Sequence, residues 1–292
     1  MDFGIMFANT GPFSTRAGAT AMGQAAEGAG FESVWTVEHV TVPEGYESEY
    51  PYDKSGKMPG GDSIPIPDPL IWLTFVAART ETIKLGTGIL ILPQRNPVVV
   101  AKAIATLDVL SEGRLLLGIG VGWLEEEFDA LGVPFAARGK RTDEYVAALR
   151  ELWTADRATM HGDFVDFDRL ITLPKPAQGS VPIIVGGHTE AAARRAGRLG
   201  DGFFPGKGKP DELAHLLDVM RAAADDAGRD PGAIEVTAGA TGAVFGDDPV
   251  GAVQELADLG VHRLIVPPLS FDPDALADAL GTFGEDVIAK VG

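Results

Sequence analysis

Residues 83–123 read IKLGTGILILPQRNPVVVAKAIATLDVLSEGRLLLGIGVGW. The stretch begins with an apolar run, continues through Asn96-Pro97 into helically spaced residues, stops at Gly113 and ends in a second apolar run. Asx-Pro pairs are typical of helix starts, and glycine is typical of helix ends. Runs that are apolar at consecutive positions are typical of parallel strands covered on both faces. The stretch therefore predicts a strand, a helix and a second, parallel strand.

The same order of strand, turn, helix and glycine repeats along the whole chain. Eight segments are predicted strands: residues 3–7, 33–39, 83–92, 114–122, 182–186, 202–205, 234–244 and 262–267. Eight such units in 292 residues favour an α/β fold of the (β/α)8 TIM-barrel type. A doubly wound sheet is less favoured, because the turn after the first strand lacks a GxGxxG fingerprint. We expect one barrel domain over residues 1–292, with insertions.

Two segments are longer than the short connections usual in compact domains. Residues 40–67 follow the second predicted strand and carry three of the four tyrosines, Tyr46, Tyr50 and Tyr52. Barrel active sites lie at the carboxyl ends of the strands, so we favour a substrate lid over a passive loop. Residues 155–180 contain the hairpin-like MHGDFVDFDR and a Pro-rich run, which predict a second insertion.

Composition narrows the classes of function. With 42 acidic and 24 basic residues, the formal net charge is −18, which repels nucleic acid and anionic membrane surfaces. The acidic residues on helices, such as those at 125–127, are predicted to form solvated faces. The chain has no cysteine and no apolar run of membrane-spanning length, and we expect no signal peptide because no basic stretch precedes a long apolar run near residue 1. We expect a cytoplasmic protein that binds neither nucleic acid nor membrane.

Five glycines lie inside the two strands of the opening stretch: Gly86, Gly88, Gly118, Gly120 and Gly122. Glycine destabilises a regular element by roughly 0.5–1 kcal/mol relative to alanine. Their presence indicates that something approaches the backbone closely. We infer that a planar cofactor does so.

The second predicted strand ends in Glu38 and His39. Strand alternation sends these side chains to opposite sides, so at most one of them points straight into the barrel mouth. An imidazole there can move a proton near neutral pH, which makes His39 the predicted catalytic acid or base. Glu38 is predicted to orient His39 or to contact the cofactor. The alternative for Glu38 is a salt bridge to a neighbouring strand end.

Gly186 and Gly187 turn from the fifth predicted strand towards a helix. The first residues of that helix, 188–190, would present free backbone N–H groups at the positive end of the helix dipole. This arrangement predicts a phosphate cradle that includes His188, although an ordinary strand-to-helix turn has the same pattern.

The sixth predicted strand ends at Pro205, and Lys207 and Lys209 follow it. These lysines could hold an anionic cofactor tail or substrate, or could lie in a flexible loop. The remaining histidines are predicted to be structural, and no histidine or carboxylate spacing indicates a metal site. No GxSxG sequence indicates a hydrolase.

Taken together, GTGILILP, ATLDVLSEGRLLLGIGVGW, the EH pair and VGG followed by EAAARRAGRLGDGFF resemble the bacterial luciferase-like superfamily. The resemblance covers nearly the whole chain. It is closer to the oxidoreductases that use the deazaflavin coenzyme F420 than to the FMN monooxygenases. It implies a (β/α)8 barrel with insertions and, as the commonest assembly, a homodimer.

The resemblance also implies roles for individual residues. His39 and Glu38 would lie beside the deazaflavin ring, and Gly88-Ile89 would form a bulge with a non-proline cis peptide behind it. The other residues implied at the cofactor are Gly120, Gly122, Trp123, Gly186, Gly187, His188, Pro205 and Gly206, of which Gly186, Gly187 and His188 receive the phosphate. Many F420-dependent relatives have Asp where this chain has Glu38, but luciferases have Glu, so this position does not discriminate the cofactors.

These expectations combine into one leading hypothesis. The chain is predicted to transfer hydride between coenzyme F420 and a small organic substrate, with His39 as general acid or base. One alternative is an FMN-dependent two-component monooxygenase of the same fold. The other is a non-catalytic flavin-binding barrel.

Overall fold

A computed structural model describes residues 1–206 and 210–291. The strands are β1 (Asp2–Ile5), β2 (Ser33–Thr36), β3 (Lys84–Thr87), β4 (Leu90–Ile91), β5 (Leu115–Gly120), β6 (Ala158–His161), β7 (Asp166–Leu170), β8 (Ile183–Gly186), β9 (Gly202–Gly206), β10 (Glu235–Gly239) and β11 (Arg263–Val266). The helices are α1 (Arg16–Gly28), α2 (Pro69–Ala77), α3 (Pro97–Leu110), α4 (Glu125–Ala130), α5 (Arg138–Thr154), α6 (Glu190–Leu199), α7 (Pro210–Asp226), α8 (Pro249–Asp258), α9 (Pro273–Phe283) and α10 (Ala289–Val291).

The main sheet is a closed parallel barrel. Its strand order is β3-β2-β1-β11-β10-β9-β8-β5-β4, and an additional pairing of β3 with β5 closes the ring. Because β4 continues the line of β3 after a two-residue break, the nine strands occupy eight positions around the barrel. The predicted (β/α)8 fold is confirmed.

Several predicted strands are too long. The prediction over 83–92 is interrupted between β3 and β4 at Gly88–Ile89, a peptide bond that is cis as the resemblance implied. The prediction over 33–39 fails after Thr36, because the Val37 N–H donates to the Asn9 side chain and not to a neighbouring strand.

The prediction over 234–244 was also wrong beyond Gly239, where the strand gives way to a 3-10 turn at Gly242–Phe245. Val244 in that turn is buried in the core. The apolar pattern around Val244 therefore reflects burial in the core and does not indicate a strand.

The helix starts follow the sequence signals closely. Asp68, Asn96, Asp248 and Asp272 each cap a helix whose first residue is proline, and each accepts a hydrogen bond from a backbone N–H in the first turn. Such caps satisfy donors that a helix start otherwise leaves free. None of the helices in the described part of the chain is long and apolar enough to cross a membrane.

Residues 155–180 contain the predicted hairpin, in which β6 pairs antiparallel with β7. The Glu144 carboxylate on α5 accepts hydrogen bonds from the backbone N–H groups of Phe164 and Val165 at the hairpin turn. This insertion is therefore fastened to the outer layer of the barrel.

The barrel interior has its own apolar cluster, separate from the larger core between sheet and helices. Five buried side chains form it: Trp35, Leu116, Ile184, Phe204 and Ile265. At the amino-terminal end of the strands, Arg263 is 1% exposed, and its guanidinium lies 5.7 Å from the Trp35 ring. That end of the barrel is thus closed by an ion pair between buried Arg263 and partly buried Glu32.

Candidate active site

His39 lies just beyond the carboxyl end of β2, and its ring is held from one side. Its Nδ1 lies 3.1 Å from Oε2 of Glu127, a residue of α4 after β5. The His39 side chain is 8% exposed and the Glu127 side chain is fully buried. The structure therefore joins a histidine and a carboxylate that are 88 residues apart in the chain.

Donors surround the Glu127 carboxylate. The backbone N–H groups of Val40 and Thr41 donate to Oε1 at 2.6 and 3.2 Å, and Nε2 of Gln94 donates to Oε2 at 3.1 Å. With both oxygens already accepting, the carboxylate also accepts from N–H at Nδ1 of His39. This arrangement places the neutral ring's free lone pair on Nε2, the atom that can take up a proton.

The prediction that residues 125–127 form a solvated face was wrong for Glu127. Leu124, Glu127 and Phe128 are all buried, and their spacing of three and four residues puts them on one helix face. That spacing is a signal in the sequence that could have identified Glu127 as an inward-facing acid. The neighbouring Glu126 instead accepts hydrogen bonds from the backbone N–H groups of Glu47 and Ser48.

Glu38 faces a different set of partners. Its carboxylate forms an ion pair with Arg95 and accepts the backbone N–H of Ile91, while Arg95 also pairs with Asp68 at 2.9 Å. Burial raises the pKa of Glu38, and the charge of Arg95 opposes this rise. Glu38 therefore forms a salt bridge, as in the alternative considered for it, with a residue just after the turn that follows β4. Its carboxylate is not bonded to His39, and its contact with the cofactor stays a prediction.

The glycines of the opening stretch have a different cause from the one inferred. A Cβ atom on Gly86 would lie 2.4 Å from the Trp35 ring, and one on Gly118 would lie 1.8 Å from the carbonyl oxygen of Thr87. The planar group against Gly86 is thus an indole of the chain itself. The inference that a cofactor explains these two glycines was wrong, because the barrel interior already fills the space beside them.

Nearer the mouth, the side chain of Ile89 fills the space beside two further glycines. A Cβ atom on Gly120 would lie 2.5 Å from Cδ1 of Ile89, and one on Gly186 would lie 2.5 Å from its Cγ2. Gly122 adopts a φ of +80°, and a Cβ there would lie 2.7 Å from the Phe128 ring. The structure therefore brings Ile89, Gly120 and Gly186 together at the carboxyl ends of neighbouring strands.

The predicted cradle after β8 begins later than expected. Helix α6 starts at Glu190, and the Thr189 side chain caps it by accepting the N–H of Ala192. His188 lies before the helix, with its Nδ1 2.6 Å from the carbonyl oxygen of Pro205. The prediction that residues 188–190 open the helix was wrong for His188 and Thr189, because threonine takes the capping position.

A small cavity lies at the carboxyl ends of β8, β9 and β10. Among its lining residues are His188, Pro205, Gly206, Gly239 and Thr241. Gly187 and Gly206 have positive φ values of +132° and +76°, and a Cβ on Gly187 would lie 2.9 Å from Ala192. The predicted residues Gly186, Gly187, His188, Pro205 and Gly206 are therefore neighbours in the structure.

An open cleft of about 450 Å³ adjoins this cavity and carries several acidic groups, among them Glu190 and Glu212. His215 lies 3.0 Å from Glu190, and Nε2 of His188 lies 4.0 Å from Glu212. Lys207 and Lys209, named above as candidate anion-binding residues, lie outside the described residues. Within residues 1–206 and 210–291, no group of three or more histidine, aspartate or glutamate side chains could hold a metal ion.

Segment 40–67 contributes two tyrosines to an aromatic group beside His39. The Trp123 ring centroid lies 5.6 Å from those of His39 and Tyr46 and 5.2 Å from that of Tyr50, with interplanar angles of 83°, 70° and 72°. We call these four residues the Trp123 cluster. On the other side of the mouth, Tyr52 approaches Gly206 at the end of β9.

Two of the remaining histidines have partners that explain them. His161 pairs with Asp166 across the exposed hairpin, at 2.6 Å. Nδ1 of His262 accepts the backbone N–H of Val236 at 3.0 Å. Both match the structural roles predicted for them, whereas His215 lies in the acidic cleft.

Comparisons with known proteins agree with this fold. An uncharacterised protein of Mycobacterium tuberculosis is 36% identical over 279 residues, which cover 92% of this chain and 94% of that protein. An F420-dependent glucose-6-phosphate dehydrogenase of Kineococcus radiotolerans is 36% identical over 194 residues, covering 64% of this chain and 57% of that enzyme.

Among solved structures, the monooxygenase RslO1 of Streptomyces bottropensis superposes with a TM-score of 0.78 at 26% identity, covering 100% of both chains. Relatives of this chain thus include an F420-dependent enzyme and a monooxygenase. The model of the luciferase-like monooxygenases matches residues 1–278, and the chain belongs to that family.

Proposed function

We propose that the protein is an oxidoreductase that transfers hydride between coenzyme F420 and a small organic substrate, with His39 as general base or acid. The observation that carries the proposal is the ring of His39 at the barrel mouth, with Nδ1 bound by the buried carboxylate of Glu127. The chemistry needs a proton acceptor or donor next to the hydride acceptor or donor, and Nε2 of His39 can fill that role.

The residues at the mouth fit a flavin-type cofactor. Oε1 of Gln94 is a buried acceptor with no partner in the described part of the chain. The first turn of α6 offers backbone donors, and Thr241 adds a hydroxyl group to the neighbouring cavity. We propose that Ile89 and the strand ends at Gly88, Gly120, Gly122 and Trp123 form the surface beside the ring, and that Gly186, Gly187, His188, Pro205 and Gly206 hold the phosphate.

Bound F420 would supply the hydride-carrying carbon. The chain's own residues then have three tasks. His39 gives or takes a proton at Nε2, and Glu127 holds the ring in the tautomer that permits this. Glu38 and Arg95 fix the end of β4 next to Ile89, because the Glu38 carboxylate accepts the N–H of Ile91. Glu38, predicted as catalytic, is thus proposed as a positioning residue.

The choice of F420 over FMN rests on the similarity to the F420-dependent dehydrogenase, which covers 64% of this chain. A second candidate, an FMN-dependent monooxygenase, is favoured by the similarity to RslO1 over the whole chain. A non-catalytic flavin-binding barrel is the third candidate, and the His39–Glu127 pair speaks against it because pure binding needs no oriented base.

Titration of the purified protein with each cofactor, followed by fluorescence quenching, tests the choice. We expect F420 to bind at least about tenfold more tightly than FMN, a difference of about 1.4 kcal/mol. Tighter binding of FMN would overturn the F420 assignment and favour the monooxygenase. Tight binding of F420 without turnover in a broad substrate screen would favour the non-catalytic barrel.

The homodimer and the cytoplasmic location also remain proposals. Helices α2 and α3 contact each other, and each exposes a large apolar side chain, Ile71 at 73% and Val99 at 67%. A second copy of the chain could cover such side chains. Sedimentation of the protein and of an Ile71→Lys/Val99→Lys double variant tests this, since a dimer formed elsewhere would survive the change.

A further inference from the structure

Trp123 packs directly against the ring of His39. Its ring centroid is 5.6 Å from that of His39, and the two rings are nearly perpendicular at 83°. A molecule that reaches Nε2 of His39 is therefore within contact distance of the indole. Rings in such edge-to-face arrangements attract one another beyond the effect of their buried area.

The lid brings further rings to the same place and is fastened there. The Ser48 hydroxyl donates to Glu126 at 2.6 Å, and the backbone N–H groups of Val40 and Thr41 donate to Glu127. Both acids lie in α4, three and four residues after Trp123. The register of the lid over the indole is thus set by hydrogen bonds, and Tyr46 and Tyr50 lie against Trp123 as a consequence.

Tyr50 adds a neutral hydrogen-bond donor to this surface. Burial, with smaller effects of Tyr52 and Asp53, raises the pKa of its hydroxyl to about 12, so the phenol keeps its proton at neutral pH. In the parts of the chain that the structure describes, no side chain or backbone group accepts from this hydroxyl. A carbonyl or hydroxyl oxygen of a ligand could accept from it.

Cationic side chains near the cluster are mostly engaged with the protein. Nη2 of Arg95 is shared by two carboxylates, and Nε of Arg138 donates to the carbonyl oxygen of Gly122 at 3.1 Å. Lys57 donates to the carbonyl oxygen of Tyr46 at 2.5 Å and lies 4.1 Å from the Tyr46 ring centroid. Lys54 differs, being exposed on the lid. A phosphorylated substrate would find little free positive charge among these residues.

From these observations we propose that the Trp123 cluster is the recognition surface for a neutral, planar substrate, an aromatic ketone or the corresponding alcohol. Trp123 and Tyr46 would contact its ring, and Tyr50 would donate to its oxygen. The substrate would replace part of the contact between Tyr50 and Trp123. This inference rests on the proposed function for the identity of the reacting centre, but the binding surface can be tested alone.

The test uses two probes with the full chain, the neutral bicyclic ketone 1-tetralone and the anion glucose 6-phosphate. Dissociation constants are measured by calorimetry, without cofactor and with saturating F420. We expect 1-tetralone to bind at least tenfold more tightly than glucose 6-phosphate in at least one of these states. Equal or tighter binding of glucose 6-phosphate, or no binding of 1-tetralone in either state, would overturn the proposal.

Variants then locate the site. Trp123→Ala should weaken 1-tetralone binding at least tenfold, and Trp123→Phe, which keeps a ring, should cause a smaller loss. Phe245→Ala removes an exposed ring that packs on Phe283, outside the Trp123 cluster, and should leave the affinity within twofold. Unchanged binding by both Trp123 variants would overturn the assignment.

Tyr50→Phe tests the hydrogen bond separately from the ring contacts. It should weaken 1-tetralone severalfold and leave tetralin, the same ring system without the carbonyl, unaffected. Equal effects on both probes would remove the donor role of Tyr50. If the protein does not bind F420 but binds 1-tetralone through Trp123, the proposed function is wrong and this inference stands. If the protein turns over F420 with charged substrates alone, the proposed function stands and this inference is wrong.

Discussion

Each end of the barrel holds a carboxylate, partly buried Glu32 at one end and fully buried Glu127 at the other, and the two acids have different kinds of partner. At the amino-terminal end, Glu32 accepts two hydrogen bonds of 2.8 Å from Arg263 and pairs with Lys84 at 2.8 Å. At the carboxyl end, Glu127 is held by two backbone N–H groups, an amide and the ring of His39. One acid faces permanent cations, and the other faces neutral donors and a group that can change its charge.

This difference distinguishes Glu32, an acid that stabilises the fold, from Glu127, an acid at the candidate active site. Burial alone would raise the pKa of Glu32, but hydrogen bonding and ion pairing with Arg263 outweigh it and hold the pKa at about 2. That cluster completes its own hydrogen bonds and offers nothing to a ligand. The cluster around Glu127 leaves Nε2 of His39 without a protein partner, and Oε1 of Gln94 likewise, within the described residues.

Among the substitutions that test this difference between the two acids and their partners, we expect the largest effect at His39. His39→Ala should lower turnover by roughly 10²–10⁴-fold, because it removes the group that moves the proton. Cofactor affinity should stay within a few-fold. His161→Ala, in the exposed hairpin, is the matched control and should change neither quantity.

Steady-state kinetics and cofactor titration of both variants decide the matter. An unchanged rate in His39→Ala would remove His39 from the mechanism. A large loss of cofactor binding would make it a binding residue.

At the amino-terminal end, Glu32→Gln should lower the free energy of unfolding and leave turnover unchanged. A shift of the Glu32 pKa from 4.5 to about 2 corresponds to roughly 3 kcal/mol of stability. The variant should lose a similar free energy of unfolding, because Arg263 remains buried with weaker partners. Denaturant unfolding measures this loss. A variant as stable as the parent would show that the amino-terminal cluster is dispensable.

The ion pair between Glu32 and Arg263 predicts that the free energy of unfolding depends on pH. Because the pKa of Glu32 is lower in the folded state, its contribution is fully present above about pH 4.5 and is lost as the pH falls towards 2. The stability difference between the parent and Glu32→Gln should therefore shrink over that interval. A difference that stays constant from pH 6 to pH 3 would contradict the linkage.

A smaller effect is expected from shortening residues 40–67, the segment predicted to be a lid at the carboxyl end. Replacing residues 49–61 by a short Gly-Ser linker removes Tyr50 and Tyr52 but keeps Ser48, which is bound to Glu126. Substrate turnover should fall by about tenfold or more, while the thermal midpoint changes little, because the barrel core does not include this segment. Full activity of the shortened protein would show that residues 40–67 are not a lid.

The sequence predicts the barrel well because its strands are defined by local apolar runs and its helices by Asx-Pro starts. The strand ends were predicted less well, since they depend on which partner takes each N–H, as at Val37 and Asn9. Glu127 was missed because three consecutive glutamates are typical of a solvated face, and the buried neighbours Leu124 and Phe128 had to be read as one stripe.

Glu38 and His39 show the limit of local pattern at the site. Strand alternation does not extend to these two residues, because β2 ends at Thr36, and their partners, Arg95 and Glu127, are 57 and 88 residues away in sequence. The glycines correctly predicted that a group approaches the backbone closely. At Gly86 the prediction that this group is a cofactor was wrong, because the indole of Trp35 reaches it from another strand. The single-domain division with two insertions and the cofactor contacts stay predictions.

The central claim is that buried Glu127 fixes the tautomer of His39. Nitrogen-15 NMR of the protein labelled at histidine tests it directly, because the chain has only five histidines and His39→Ala identifies the signal. We predict that neutral His39 carries its proton on Nδ1 and leaves Nε2 free, and that Glu127→Gln weakens this preference. A neutral His39 protonated on Nε2 in the unmodified protein would contradict the account.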